Sequence, residues 1–424
     1  MYLRRAQVEN VRSITKLDWE IPKGSEAGWH VVIGDNGSGK STFLRAIALA
    51  FVGADEAAAL RQDWNDWLRK GEDQGRIELE VGHNPQFDPQ LVFAAVTPGA
   101  QPTFGVEFSR ETNGTVRLEN TGGFNPNHNL WKHWQGWFRA AYGPFRRFSG
   151  GEQEIEKIFS TNPRLAALLT IFGENVALTE CLKWLQELKF KQLEQKPEGA
   201  LLNCIIKFVN QEGFLPHHAQ LTEITSKGVF FVDGEGNQLR VEELSDGYRS
   251  ILSLTFELIR QMAQSYGPDR IFEPETSSKI IAPGVVLIDE IDAHLHPTWQ
   301  RRIGLWFREH FPNLQFIVTT HSPLICQAAD VGTVWRLPKP GSGEAAAQVT
   351  GTALNRLLYG DVLDAYGTEL FGQDVARSDE SQKLLARLAE LNRKSLRGKL
   401  NGKEREEQAQ LRVLLSTDSH VLSE

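Results

Sequence analysis

The stretch VVIGDNGSGKST, residues 31–42, limits what this chain can fold into more than any other segment. An apolar run ends at Gly34, Gly37 and Gly39 follow, and Lys40-Ser41 comes directly after them. The spacing is G-x-x-x-x-G-K-S/T. WHVVIG before it reads as a buried strand, and KSTFLRAIALAFVG after it carries apolar residues at helical spacing. A glycine loop between strand and helix can curl its backbone N–H groups around phosphate oxygens without Cβ clashes. The helix start adds its positive dipole end. Asn36, Gly37, Ser38, Gly39, Lys40, Ser41 and Thr42 are therefore candidate nucleotide-binding residues. Lys40 is expected to reach the β and γ phosphates, and Ser41 to ligate Mg²⁺.

Three further motifs follow in order. GVVLIDEIDAHLHP, residues 284–297, is an apolar strand ending in two carboxylates, and strand tips are where open α/β sheets bind ligands. Asp289 is expected to hold Mg²⁺ and Glu290 to act as general base on the attacking water. His294 and His296 lie two apart with no third metal ligand in view, so they read as loop residues. LSDGYRS, residues 244–250, opens a helix with Ser245 as candidate N-cap and Gly247 permitting close backbone approach. FIVTTHSP, residues 316–323, places His321 at the tip of another apolar strand.

Strands and helices alternate around the glycine loop, which predicts a mostly parallel α/β sheet. Residues 76–119 look β-rich and antiparallel, residues 160–212 helical, and GVFFVDGEGNQLRV a hairpin. DEAAALRQDWNDWLRKG reads as a helix, and the last 85 residues as charged helices that can pair. The expected division is 1–130, an ATPase lobe with phosphate loop and β insert; 131–225, a connecting strand and helical insert; 226–340, the second ATPase lobe; and 341–424, a C-terminal helical segment. The net charge of −8 supplies no global field for nucleic acid, so nucleic acid is possible but not indicated. Three well-separated cysteines, Cys181, Cys204 and Cys326, suit a reducing cytoplasm better than disulfides. No run of 18 apolar residues occurs, so no membrane span is expected.

Phosphate loop, LS-x-G, Asp-Glu strand and Thr-His strand, in that order, resemble the ATP-binding-cassette (ABC) ATPases. The closer resemblance is to the soluble branch holding RecF, Rad50 and SMC heads and the ATPase part of OLD nucleases. VENVRSI resembles that branch's first-strand Asn-Phe-Arg motif, with Val11 in place of Phe and Arg12 kept, which puts Arg12 among the nucleotide-binding candidates. FRAAYGPFRRFSGG (138–151), ELSDGYRSILSL and LLYGDVLDAYGTELFG (357–372) look like stand-alone ATPases found beside antiphage effectors, such as the Septu ATPase subunit. The resemblance implies a P-loop fold with an ABC-type head, ATP and Mg²⁺ as cofactors, and a homodimer or higher homo-oligomer joined head to tail. Ser245 and Gly247 would then touch the γ-phosphate of a partner's ATP, and His321 that of its own. It also implies a separate effector, a nuclease encoded nearby. The glutamine that senses Mg²⁺ in this superfamily has no clear counterpart, and Gln153 is one guess.

Two clusters stay open. Trp131, Trp134 and Trp137, beside His133, could stack on bases, but a spacing of three also suits a buried turn. Arg146 and Arg147 could meet phosphate, a partner head or surface carboxylates. The stretch before LS-x-G is too short for the coiled coils of Rad50 or SMC, and no nuclease motif is visible. The leading expectation is an ATPase that regulates or scaffolds an effector in phage defence. The alternatives are a RecF-like DNA-repair ATPase and a transporter ATPase subunit; a small-molecule kinase needs neither LS-x-G nor His321.

Overall fold

The computed structural model describes residues 1–84, 86–88, 102–121, 136–146, 161–173, 180–274, 278–360, 370–371, 378–396 and 400–415. They divide into two compact units, Met1–Gly360 and Asp361–Glu424.

In the first unit, β1 (Tyr2–Val11) and β2 (Ile14–Glu20) form an antiparallel hairpin. β3 (Gly28–Ile33) is apolar but for His30 and buried at all six positions, and it runs through the glycine loop into α1 (Lys40–Val52). β4 (Gln74–Gly82), β5 (Thr103–Arg110) and β6 (Val116–Asn120) are the antiparallel strands expected within 76–119. They extend the hairpin into one sheet of order β2-β1-β4-β5-β6. Burial alternates along β4, with Ile77, Leu79 and Val81 inward, as a one-sided antiparallel strand requires.

Residues 55–71 do not form the expected helix. Two short 3₁₀ turns, Ala57–Leu60 and Trp64–Asp66, stand there instead. Arg61 takes a left-handed φ of 51°, and the Asp63 carboxylate accepts from the Asn65 N–H, so a side chain takes over a helical backbone bond. Trp64 and Trp67 then pack on Phe108 of β5.

The central sheet has the order β14-β13-β3-β12-β11-β7, completed by β7 (Arg139–Tyr142), β11 (Gly284–Ile288), β12 (Leu314–Thr319), β13 (Gly332–Arg336) and β14 (Ala347–Gln348). All its pairings are parallel except β13 with β14. β3, β11 and β12 are wholly buried, and each enclosed Val, Leu or Ile contributes about 2 kcal/mol. One core cluster joins α1 to both this sheet and the antiparallel one. Gln315 of β12 also bonds the Leu3 N–H and C=O at 2.7 Å each, stitching the two sheets together.

The helical insert contains α2 (Pro163–Leu169), α3 (Glu180–Leu193) and α4 (Ala200–Val209), followed by a small sheet of β8 (Gln220–Thr225), β9 (Gly228–Val232) and β10 (Gln238–Arg240). β9 and β10 form the expected hairpin. α5 (Asp246–Tyr266) is the long helix that LSDGYRS opens. Its buried Glu257 takes two bonds from Arg260, at 2.8 and 2.6 Å, and one from Gln261, which accepts from Tyr142 Oη of β7. α6 (Pro297–His310) follows β11, and α7 (Gly351–Tyr359) follows β14. In the second unit, α8 (Asp379–Leu396) and α9 (Gly402–Leu415) pair through a bidentate bond of Arg387 to Glu407. The cysteines carry no disulfide, and among the described residues no helix is long and apolar enough to cross a membrane.

Candidate functional site

β3, β12 and β11 lie side by side and in parallel, so the glycine loop, Thr319-Thr320-His321 and Asp289-Glu290 emerge at the same edge of the sheet. Gly34, Gly37 and Gly39 have φ of 156°, 77° and 99°. A Cβ on Gly34 would sit 2.6 Å from Ser38 Oγ, and one on Gly39 would sit 2.9 Å from Ser13 Oγ. The loop thus keeps its curl because these positions carry no side chain. Ser38 Oγ is buried with no hydrogen-bond partner, while Asn36 and Gly37 are exposed at the rim. An orphaned hydroxyl inside a glycine cradle fits an anionic ligand.

Lys40 donates to the carbonyl oxygens of Gly34 (2.8 Å) and Asp35 (3.1 Å). Burial lowers its pKa, against the pull of Asp289, Glu290, Asp35 and Asp292. Ser41 Oγ donates to Asp289 Oδ1 at 3.1 Å, and Thr319 Oγ1 donates to the same oxygen at 2.6 Å. A hydroxyl beside a carboxylate is a hard oxygen donor set of the kind Mg²⁺ takes. Thr42 is half-buried in the first turn of α1. Glu290 has φ 47°, a left-handed backbone that a glutamate rarely adopts, and its N–H donates to Thr319 Oγ1 at 2.8 Å. Thr320 donates to Asp292 at 2.6 Å, and His321 follows, exposed.

Arg12 sits in the turn that packs against the phosphate loop. It takes φ 48° in the β1–β2 turn and lays its guanidinium over the Trp67 ring, 4.5 Å from the centroid. Burial, and then the like charge of Arg45, lowers its pKa. Its neighbours Ser13 and Ile14 are the ones that touch Gly39. They also line a cavity of about 650 Å³ beside the loop, with Leu17, Gly37, Ser38 and Pro340.

Ser245 occupies the N-cap position of α5, yet its side chain makes no capping bond and is exposed. A Cβ on Gly247 would lie 3.0 Å from the His294 carbonyl, so the glycine serves a close approach to the segment after β11. His296 caps α6 by accepting from the Thr298 N–H.

Arg146 is where sequence reasoning fell short. It is not on the surface but buried, 6% exposed. Nε donates to Ser250 Oγ (3.1 Å), Nη1 to the carbonyls of Gly143 and Asp289 (2.9 Å each), and Nη2 to the carbonyl of Glu290 (3.1 Å). Burial pushes its pKa down to about 10, against the pull of Asp289, Asp292 and Glu290. Thr319 was also missed, although the quoted TTHSP contained it. Trp137 is buried and packs against His83. Trp131, His133, Trp134, Arg147, Gln153 and nearly all of 357–372 beyond Gly360 lie outside the described residues.

Parallel strands that deliver a glycine loop and a carboxylate pair to one sheet edge, with α5 opening at LS-x-G, define a P-loop NTPase with an ABC-type head. Nucleotide binding goes with that class. The family described as "AAA domain, putative AbiEii toxin, Type IV TA system" matches residues 160–327. The Septu protein PtuA of Bacillus mycoides is 28% identical over 76% of this chain, which spans 38% of that protein's length. The Retron Ec83 probable ATPase of Escherichia coli is 24% identical over 90% of this chain and 82% of its own. Among solved structures, an Smc head bound to the C-winged helix domain of ScpA covers 83% of this chain and 98% of its own, at 16% identity and a TM-score of 0.48. The chain is thus similar to PtuA and to retron ATPases.

Proposed function

We propose that this chain binds and hydrolyses ATP and closes head to tail on a second copy as it does so. The observation that carries the reading is a hydrogen-bonded cluster of Ser41, Asp289, Thr319 and the Glu290 N–H at the sheet edge, with the Lys40 ammonium under the pull of Asp289 and Glu290. Lys40 exchanges the carbonyls of Gly34 and Asp35 for the β and γ phosphates, beside loop N–H groups already curled for them. Asn36 to Gly39 and Thr42 complete the cradle. The nucleoside enters the cavity that Ser13, Leu17 and Pro340 line. Ser41 and Asp289 would hold Mg²⁺, which when bound supplies charge neutralisation on the phosphate oxygens. Glu290 takes the proton of the attacking water, and His321 contacts the γ-phosphate. Ser245, uncapped and exposed at a helix N-terminus, together with Gly247 closes on the γ-phosphate held by the partner. ATP then favours the closed dimer through differential affinity, and hydrolysis releases it.

The likeness to PtuA and to a retron ATPase supports a defence setting. There the ATP-gated dimer would regulate a separate effector, a nuclease. The head-to-tail arrangement has a direct test. Lys40→Met and Ser245→Arg each abolish turnover alone, because every site of either homodimer lacks one half. Mixed together they form heterodimers with one intact composite site, and phosphate release returns. A mixture that stays dead while both variants fold refutes the shared site.

A further inference from the structure

Arg146 spends four of its five N–H donors inside its own chain. One N–H, on Nη2, is left over. Its targets are informative. Two are the main-chain oxygens of Asp289 and Glu290, the third is the Gly143 carbonyl, and the fourth is a hydroxyl on α5, five residues after Ser245. Glu290 carries a left-handed backbone, which persists only where neighbours over-determine it. Two side chains do so: Thr319 accepts from the Glu290 N–H, and Arg146 donates to the Glu290 carbonyl. The backbone on both sides of the strained Cα is therefore fixed, and so is the direction in which the carboxylate leaves it.

We propose that Arg146 is a positioning residue: it holds the strained backbone of Glu290 and, through Ser250, locks that backbone to the helix that presents Ser245. This rests on Glu290 acting as the general base. Ser245 serves the partner's nucleotide while Glu290 serves the chain's own. A clamp between them makes the arrival of one nucleotide register at the other site. A planar guanidinium suits the task because one rigid fork reaches acceptors on β7's loop, on the turn after β11 and on α5.

The test compares Arg146→Met and Arg146→Lys with wild type, alone and combined with Glu290→Gln. Because Arg146 works through Glu290, Arg146→Met lowers kcat by roughly 10²-fold through misplacement of the base. The affinity for a fluorescent ATP analogue stays within about twofold, a split between chemistry and binding. In the Glu290→Gln background the same change costs no further turnover. Without nucleotide, hydrogen exchange at the amides of residues 290–293 rises in the variant. Multiplying losses in the double variant, unchanged exchange, or a fall in affinity as large as the fall in kcat each overturns the proposal. Should Arg146→Met fail to fold, Arg146→Lys keeps the charge but only one donor nitrogen in place of the three-nitrogen fork, and the same criteria apply to it. A wild-type chain with no ATP turnover refutes the hydrolytic reading itself, whereas turnover with independent losses refutes only the clamp.

Discussion

The phosphate loop and the LS-x-G segment are both helix N-termini, yet the chain completes one and leaves the other open. At the loop, Lys40 is bonded back to two carbonyls, and Ser41, Asp289 and Thr319 satisfy one another. At the start of α5, Ser245 is exposed and its hydroxyl caps nothing. Both segments sit on the same molecule. They differ in that the first is walled by three buried parallel strands, while the second projects from a helix whose burial begins only at Ser250. A prebuilt half and an unfinished half fit the proposed site shared between two copies.

The largest effect that would break this comparison is at Lys40. Lys40→Met should lower ATP turnover by about 10³-fold, measured as phosphate release, since it removes the cation aimed at the developing charge. Activity within tenfold of wild type would mean that the prebuilt half does not do the chemistry.

The second concerns how firmly that half is built before any ligand arrives. His30 of β3 is fully buried, with Nε2 donating to the Glu26 carbonyl and Nδ1 accepting from Thr333 Oγ1, both at 3.0 Å. Because a carbonyl only accepts, this neutral tautomer is the one that satisfies both bonds. Burial pushes its pKa down to about 4 from 6.5. The unfolded chain therefore binds a proton that the folded one refuses. The contribution is intact above pH 6.5 and is lost as pH falls toward 4, amounting to about 3 kcal/mol. Urea unfolding of wild type and His30→Asn across that range reads it as a shrinking difference in acid. A difference independent of pH would place the charge elsewhere.

Glu290→Gln comes third, with a loss of roughly 10²-fold in turnover at retained ATP affinity. Light scattering should then find an ATP-dependent dimer that persists, because the release step is blocked. Ser245→Ala gives the smallest effect on stability. A capping serine costs about 1 kcal/mol when removed. Here calorimetry should register less than about 0.5 kcal/mol, because no cap is lost. ATP-dependent association should nevertheless weaken. A full capping penalty would show that the hydroxyl serves its own helix rather than a partner.

The four motifs were legible because each is a local covenant between residue type and backbone. A glycine loop needs no Cβ wherever it folds, and an apolar run ending in Asp-Glu puts its carboxylates at a strand tip. The strand-like and helix-like stretches were legible for the same reason. Residues 55–71 misled because their apolar spacing suits a helix, whereas the Trp64 and Trp67 rings are taken up by Phe108, which lies far along the chain. Arg12 kept its place in the motif, but its guanidinium went to Trp67.

By itself, then, the sequence determined a strand–glycine loop–helix unit, the carboxylate strand and the order of the motifs, because these depend on spacing along the chain. Only the tertiary structure decided that β12 lies between β3 and β11, which brings Thr319 onto Asp289 and the Glu290 N–H. Only the tertiary structure buried Arg146 under Glu290 and against Ser250. A guanidinium has the same formula on a surface or in a core, and only the packing of elements far apart in the chain determines which acceptors it meets.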